Sequence, residues 1–194
     1  MKPQRIGAFC APALTMLFLG IGWASPVLAQ EEKEEEGGAA KYVGARACAL
    51  ACHKSVKQGN QLGVWEGSKH AKAYETLGTP EAKAVAKKKG IDDPQKSEKC
   101  LKCHVTAPGV SAELAGLKFS NAEGVGCERC HGAGSLYKKL TIMKDRKAAI
   151  AKGLKIPDEK TCLGCHNQES PFYKPFKFEE QWKKIAHPKP KAEG

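Results

Sequence analysis

Three stretches of this 194-residue chain repeat one arrangement: "CLKCH" (Cys100, Cys103, His104), "CERCH" (Cys127, Cys130, His131) and "CLGCH" (Cys162, Cys165, His166). On a single helical turn, cysteines at i and i+3 and a histidine at i+4 share one face. Two thiols so placed can add to the vinyl groups of a haem, and the adjacent imidazole then reaches the iron. Paired Cys and His also ligate zinc, but a histidine directly after the second cysteine, three times over, favours haem. A fourth stretch, "CALACH", carries Cys48, Cys52 and His53 with one extra residue between the cysteines. Ala49-Leu50-Ala51 is small or flexible enough to bulge while both sulfurs still reach the vinyls; the alternative is a single thioether through Cys52. The expectation is therefore four covalently bound haem c groups. All eight of these cysteines fall in pairs followed by histidine, which leaves no separate set for a disulfide framework.

Four haems have eight axial positions, and His53, His104, His131 and His166 fill one each. The chain has only six histidines, so His70 and His187 are the sole others, and Met143 is the one methionine beyond the N-terminal segment. At most three distal positions can take His or Met. At least one iron is then open, or takes Lys, Tyr or water. His70 reads either as a distal ligand or as a packed core histidine. Met143 reads equally as a core methionine or as a ligand, which would raise the potential of its site.

The elements that must position these groups read as short helices broken by Gly and Pro, with no strand-like alternation. Trp65 to Leu77 is one candidate helix, with His70, Ala73, Tyr74 and Leu77 on one face. Pro80 to Lys89 is a second, opened by Pro and stopped by Gly90. Leu136 to Lys152 is helical in patches, with Leu136, Leu140 and Met143 aligned and Gly153 as the stop. Phe178, Trp182 and Ile185 form a last stripe, and His187, preceding Pro188, falls just outside it. The fold class expected is mainly α, short helices and long loops wrapped around four haems with little or no sheet. So little protein per haem implies a chain that does not fold stably without them.

The organisation expected is a signal peptide over 1–29, an acidic disordered linker over 30–40, the tetrahaem domain over 41–190 and a tail over 191–194. Lys2 and Arg5 precede an uncharged apolar run that ends in "VLA", a pattern that implies cleavage and a periplasmic location. Membrane contact follows only if that segment stays attached. The net charge is +11, and "EEKEEEGG" concentrates five of the acids, so the remainder is more basic still. For an exported haem protein this points to redox partners with acidic docking surfaces rather than to nucleic acid. Self-association is compatible with everything in the sequence.

The stretches "YVGARACALACH", "SKHAKAYETL", "CLKCHV", "GVGCERCHGAGS", "CLGCH" and "FKFEEQWKKIAH" together resemble the tetrahaem cytochrome c-554 family known from ammonia-oxidising bacteria. The resemblance implies a mainly helical periplasmic electron carrier with closely packed haems. It implies that His70 crosses to the iron of His166, that His187 binds the iron of His131, and that the haem at His104 is five-coordinate. The family supplies the distal histidine of its first haem soon after the third motif. "HGAGSLYKKLTIM" has none, so Met143 is the nearest replacement opposite His53. The reading that results is a carrier transferring electrons between redox proteins. The alternatives are a haem enzyme acting on a small nitrogen or oxygen species at the open iron, with Thr106 and Ser111 the nearest proton donors, or a subunit of a larger multihaem assembly.

Overall fold

The computed structural model describes residues 38–49 and 52–187. The expected signal peptide, most of the acidic linker, Leu50 and Ala51 of the lengthened motif, and the C-terminal tail lie outside the described residues.

Among the described residues ten short helices follow one another: α1 Ala45–Cys48, α2 Gln61–Glu66, α3 Ala73–Thr76, α4 Pro80–Lys88, α5 Glu98–His104, α6 Cys127–His131, α7 Leu140–Met143, α8 Arg146–Ala151, α9 Glu159–Leu163 and α10 Phe178–Ile185. Single 3-10 turns occur at Val56–Gln58 and Asn121–Glu123. The only strand-like feature among the described residues is an isolated parallel bridge between Tyr42 and Ala115. The architecture is mainly α, as the broken pattern of Gly and Pro predicts, and no described helix is long and apolar enough to cross a membrane.

The Trp65–Leu77 periodicity does not give one helix. α2 ends at Glu66 with Gly67 as its cap, Ser68 donates its N–H to Trp65 O at 2.8 Å, and the chain turns through His70 before α3. Tertiary contact holds the turn: Val125 donates to His70 O at 2.9 Å, and the indole N–H of Trp65 to Val125 O at 2.8 Å. Gly124, at φ 71°, lies so close beneath the turn that a Cβ there would stand 2.6 Å from His70 O. His70 therefore projects from a pinned loop rather than from a helix face.

The other helices follow local signals. Thr79 caps α4 by accepting from Ala82 N–H, and Pro80 opens it. Asp145 accepts from Lys147 and Ala148 and so separates α8 from α7, which divides the Leu136–Lys152 stretch in two. α10 carries the Phe178/Trp182/Ile185 stripe, yet none of its residues is buried.

The protein core is thin. Val43, Ala45, Leu62, Leu77, Val105, Ala107, Val125, Tyr137 and Ala149 are among its few buried apolar members. Leu117, Val56 and Phe172 stand largely in the open. A chain of this size normally hides much more apolar surface within itself.

Candidate haem-binding site

The helices carry the motifs in two ways. α5 contains Cys100, Cys103 and His104, and α6 is the third motif itself, from Cys127 to His131. In these two, both thiols and the imidazole share a helical face. α1 ends at Cys48 and α9 at Leu163, so Cys52-His53 and Cys165-His166 follow their helices in turns. None of the eight described cysteines pairs in a disulfide.

Side chains bring the motifs into a fixed neighbourhood. The Cys48 thiol hydrogen-bonds with Cys127, which, with burial, pushes its pKa up. Cys103 lies against Cys165, and burial followed by that neighbour raises it too. Burial, then the nearby Cys162, pushes Cys130 up to about 11. The first motif thus sits beside the third, the third beside the fourth, and the fourth beside the second. The spatial order is not the sequence order.

Two histidine pairs stand out in this array. The rings of His70 and His166 have centroids 6.0 Å apart at 63°, and those of His131 and His187 are also 6.0 Å apart, at 64°. An imidazole nitrogen sits about 2 Å from a metal it ligates, and roughly 1 Å more separates nitrogen from ring centre. Two imidazoles on opposite sides of one iron therefore have centroids about 6 Å apart. Each pair joins one motif histidine to one of the two spare histidines, and the spacing fits a haem iron between them. Since the spare histidines number only two, His53 and His104 have no histidine to share. Met143 closes α7, half-buried.

Burial and backbone contacts act on several of the histidine rings. Burial lowers the pKa of His70, helped by the His166 ring, and lowers those of His131 and His166. His104 donates Nδ1–H to Ala73 O at 2.7 Å, and His131 donates to Lys155 O at 3.1 Å. Each bond leaves Nε2 with its lone pair free for a metal. Lys155 returns its own N–H to His131 O at 2.8 Å, and the Tyr137 hydroxyl donates to Gly132 O at 2.7 Å. His166 stacks on Phe176 with centroids 4.9 Å apart. Among the described residues no three His, Cys, Asp or Glu side chains converge as a zinc centre requires.

Several residues that hold the site were not singled out by sequence reasoning. Glu128, inside the third motif and 3% exposed, accepts from Val43, Gly44 and Gly134 N–H at 2.7–3.0 Å. Glu123 accepts from Ala45 N–H at 2.9 Å. These two carboxylates satisfy the free N–H groups that open α1, which has no side-chain cap of its own. Arg129 donates to Lys102 O at 2.9 Å and to Cys165 Sγ at 3.3 Å, and Lys102 pairs with Glu169. The two spacer residues of the third motif thus reach toward the other three motifs. Their charge was visible in "CERCH"; their backbone and sulfur partners were not.

Thr106 does not serve as a free proton donor. It is buried, donating its hydroxyl to Gly124 O at 3.0 Å and accepting from Gly126 N–H at 2.8 Å. Ser111 is exposed.

A mainly helical chain with Cys/His attachment motifs on short helices and histidines paired at iron-spanning distance is a c-type cytochrome, the class that carries covalent haem. A family model described as "Cytochrome c554 and c-prime" matches residues 47–132, and cytochrome c-554 of Nitrosomonas europaea is 32% identical over 146 residues, covering 66% of this chain and 58% of that protein. The chain is thus similar to the cytochrome c-554 family over these residues, and its matched region spans a little over half the length of that relative. No solved structure matches it.

Proposed function

We propose that this protein is a periplasmic tetrahaem electron carrier, exported by its N-terminal segment and exchanging electrons between redox proteins. The observation that carries this reading is the pair of histidine couples at 6.0 Å, His70 with His166 and His131 with His187. Haem supplies one-electron chemistry when bound. The chain's part is to hold it: Cys48 and Cys52, Cys100 and Cys103, Cys127 and Cys130, and Cys162 and Cys165 as thioethers, with His53, His104, His131 and His166 as the proximal ligands. His70 and His187 close two of the irons against exogenous ligands, as suits a site that passes electrons rather than binding substrate. Met143 is the candidate thioether for the far side of His53, and His104 keeps an open position.

The thiol neighbours support a continuous array in the order first, third, fourth, second. The half-buried apolar stripe of α10 leads directly to His187 and suits contact with a macrocycle. The excess of lysine and arginine over acids favours transient docking of an acidic redox protein. Enzymatic chemistry at the open iron is the second reading, since His104 has no histidine opposite it. The engagement of Thr106 with two backbone groups leaves that iron without its nearest candidate donor.

The test is rapid mixing of the reduced holoprotein with an oxidised, acidic small redox protein. The expected result is one-electron exchange whose second-order rate falls steeply as salt is added. Absence of exchange, together with steady partner-free turnover of nitric oxide, nitrite or hydroxylamine, would replace the carrier with an enzyme.

A further inference from the structure

Resting on the tetrahaem reading, we propose that Glu128 and Arg129 are positioning residues that polarise the haem array electrically. Glu128 depresses the potentials at the first and third motifs, and Arg129 raises those at the fourth and second, relative to what axial ligands alone set.

The two residues are adjacent on α6, so their side chains leave the helix about 100° apart and face different neighbours. Glu128 points into the protein. Its oxygens accept from Val43 N–H at 2.8 and 3.0 Å, from Gly44 at 2.8 Å and from Gly134 at 2.7 Å. It is nearly sealed from solvent at 3% exposure, so its charge is weakly screened. The backbone it grips runs straight into Cys48, and Glu128 itself follows Cys127. Glu123, on Ala45 N–H at 2.9 Å, places a second carboxylate on the same side.

Arg129 points the other way. Its guanidinium lies 3.3 Å from Cys165 Sγ, an attachment sulfur of the fourth motif, and 2.9 Å from Lys102 O, within the second. Lys102 and Glu169 pair with each other, and Asp158 and Glu159 lie near the other fourth-motif thiol, Cys162, so the contribution of Arg129 is read as the change on its removal.

Negative charge beside a haem stabilises the ferric state and lowers its potential; positive charge stabilises the ferrous state and raises it. A carboxylate facing one half of the array and a guanidinium facing the other therefore tilt the array in one direction. The tilt comes from two consecutive spacer positions that the attachment chemistry leaves free to vary.

Spectroelectrochemical titration of the holoprotein with electron paramagnetic resonance reads the effect directly. His70→Ala and His187→Ala first identify which bis-histidine signal belongs to the fourth motif and which to the third. Arg129→Gln is then expected to lower the potential of the fourth-motif iron, and Glu128→Gln to raise that of the third. Arg129→Lys, which keeps the charge but changes the hydrogen bonds, is expected to hold the potential near its original value. Since Glu128 is buried and Glu128→Gln can fail to mature, Arg129→Gln decides alone in that case. An unchanged or raised fourth-motif potential in Arg129→Gln at full haem content overturns the proposal, as does an equal fall in Arg129→Lys. A pyridine haemochrome assay on the unaltered protein separates the two levels: fewer than four haems per chain defeats the tetrahaem reading itself.

Discussion

The third and fourth motifs differ from the first and second in what faces their histidines. His131 and His166 each have a second imidazole 6.0 Å away, whereas the chain has no histidine left for His53 or His104. By thiol neighbours the paired motifs are the inner two of the array and the unpaired motifs are its ends. What closes the inner sites comes from far away in sequence: His70 precedes three of the motifs, and His187 follows all four. Such closure is non-local, and it needs something between the rings before it contributes any stability. On the tetrahaem reading, the array is closed by histidine in its middle, with Met143 the candidate ligand at its His53 end and an open position at its His104 end.

The largest effect expected is from removing haem altogether, which abolishes the contrast between inner and outer motifs. With so thin a core, the haem-free chain is expected to lack a compact fold, and its far-ultraviolet circular dichroism to show little of the helix content seen here. A cooperative unfolding transition in the haem-free chain would show that the inner pairs form without iron between them.

Next in size is conversion of an inner site into an outer one. His70→Ala and His187→Ala are each expected to turn one low-spin iron high-spin and to add one carbon monoxide equivalent to the ferrous protein. Ligand uptake at the His104 haem should stay as it was. If uptake does not rise in either variant, the paired rings are packing partners and not ligands.

Loss of the clamp between the first and third motifs is smaller. Glu128→Ala leaves three backbone donors without their carboxylate, and is expected to destabilise the holoprotein by about 3 kcal/mol in denaturant titration. The first motif should respond most. An unaltered midpoint would mean that Val43 and Gly44 find other acceptors.

Thr106→Val is smaller again, at about 1–2 kcal/mol, for one lost donor and one lost acceptor on Gly124 and Gly126. It should not change carbon monoxide binding at the His104 haem, since the hydroxyl is engaged with backbone. Least of all is Trp65→Phe, which removes the indole bond to Val125 O and should cost about 1 kcal/mol.

Much of the class of fold was legible in the sequence, because Gly and Pro punctuation limits helix length whatever the tertiary context. α4 and α10 fall where their caps and stripes place them. Trp65–Leu77 was misread as one helix because periodicity carries no information about Gly124 and Val125, which pin the chain at His70 from over fifty residues away. The c-type cytochrome class was legible in the Cys/His motifs, since their chemistry is local. The clamps were not: Glu128 and Arg129 announce charge in "CERCH", but the groups they bind are backbone N–H and C=O atoms and a sulfur that only folding brings near. Thr106 was misjudged for the same reason, as a hydroxyl looks available until its neighbours are placed.

The central claim is that four haems are held, with two irons closed by His70 and His187. The most direct measurement combines pyridine haemochrome quantification with spin-counted electron paramagnetic resonance of the oxidised holoprotein. The account predicts four haems per chain, of which two give bis-histidine low-spin signals. Three haems, or a number of bis-histidine irons other than two, would contradict it.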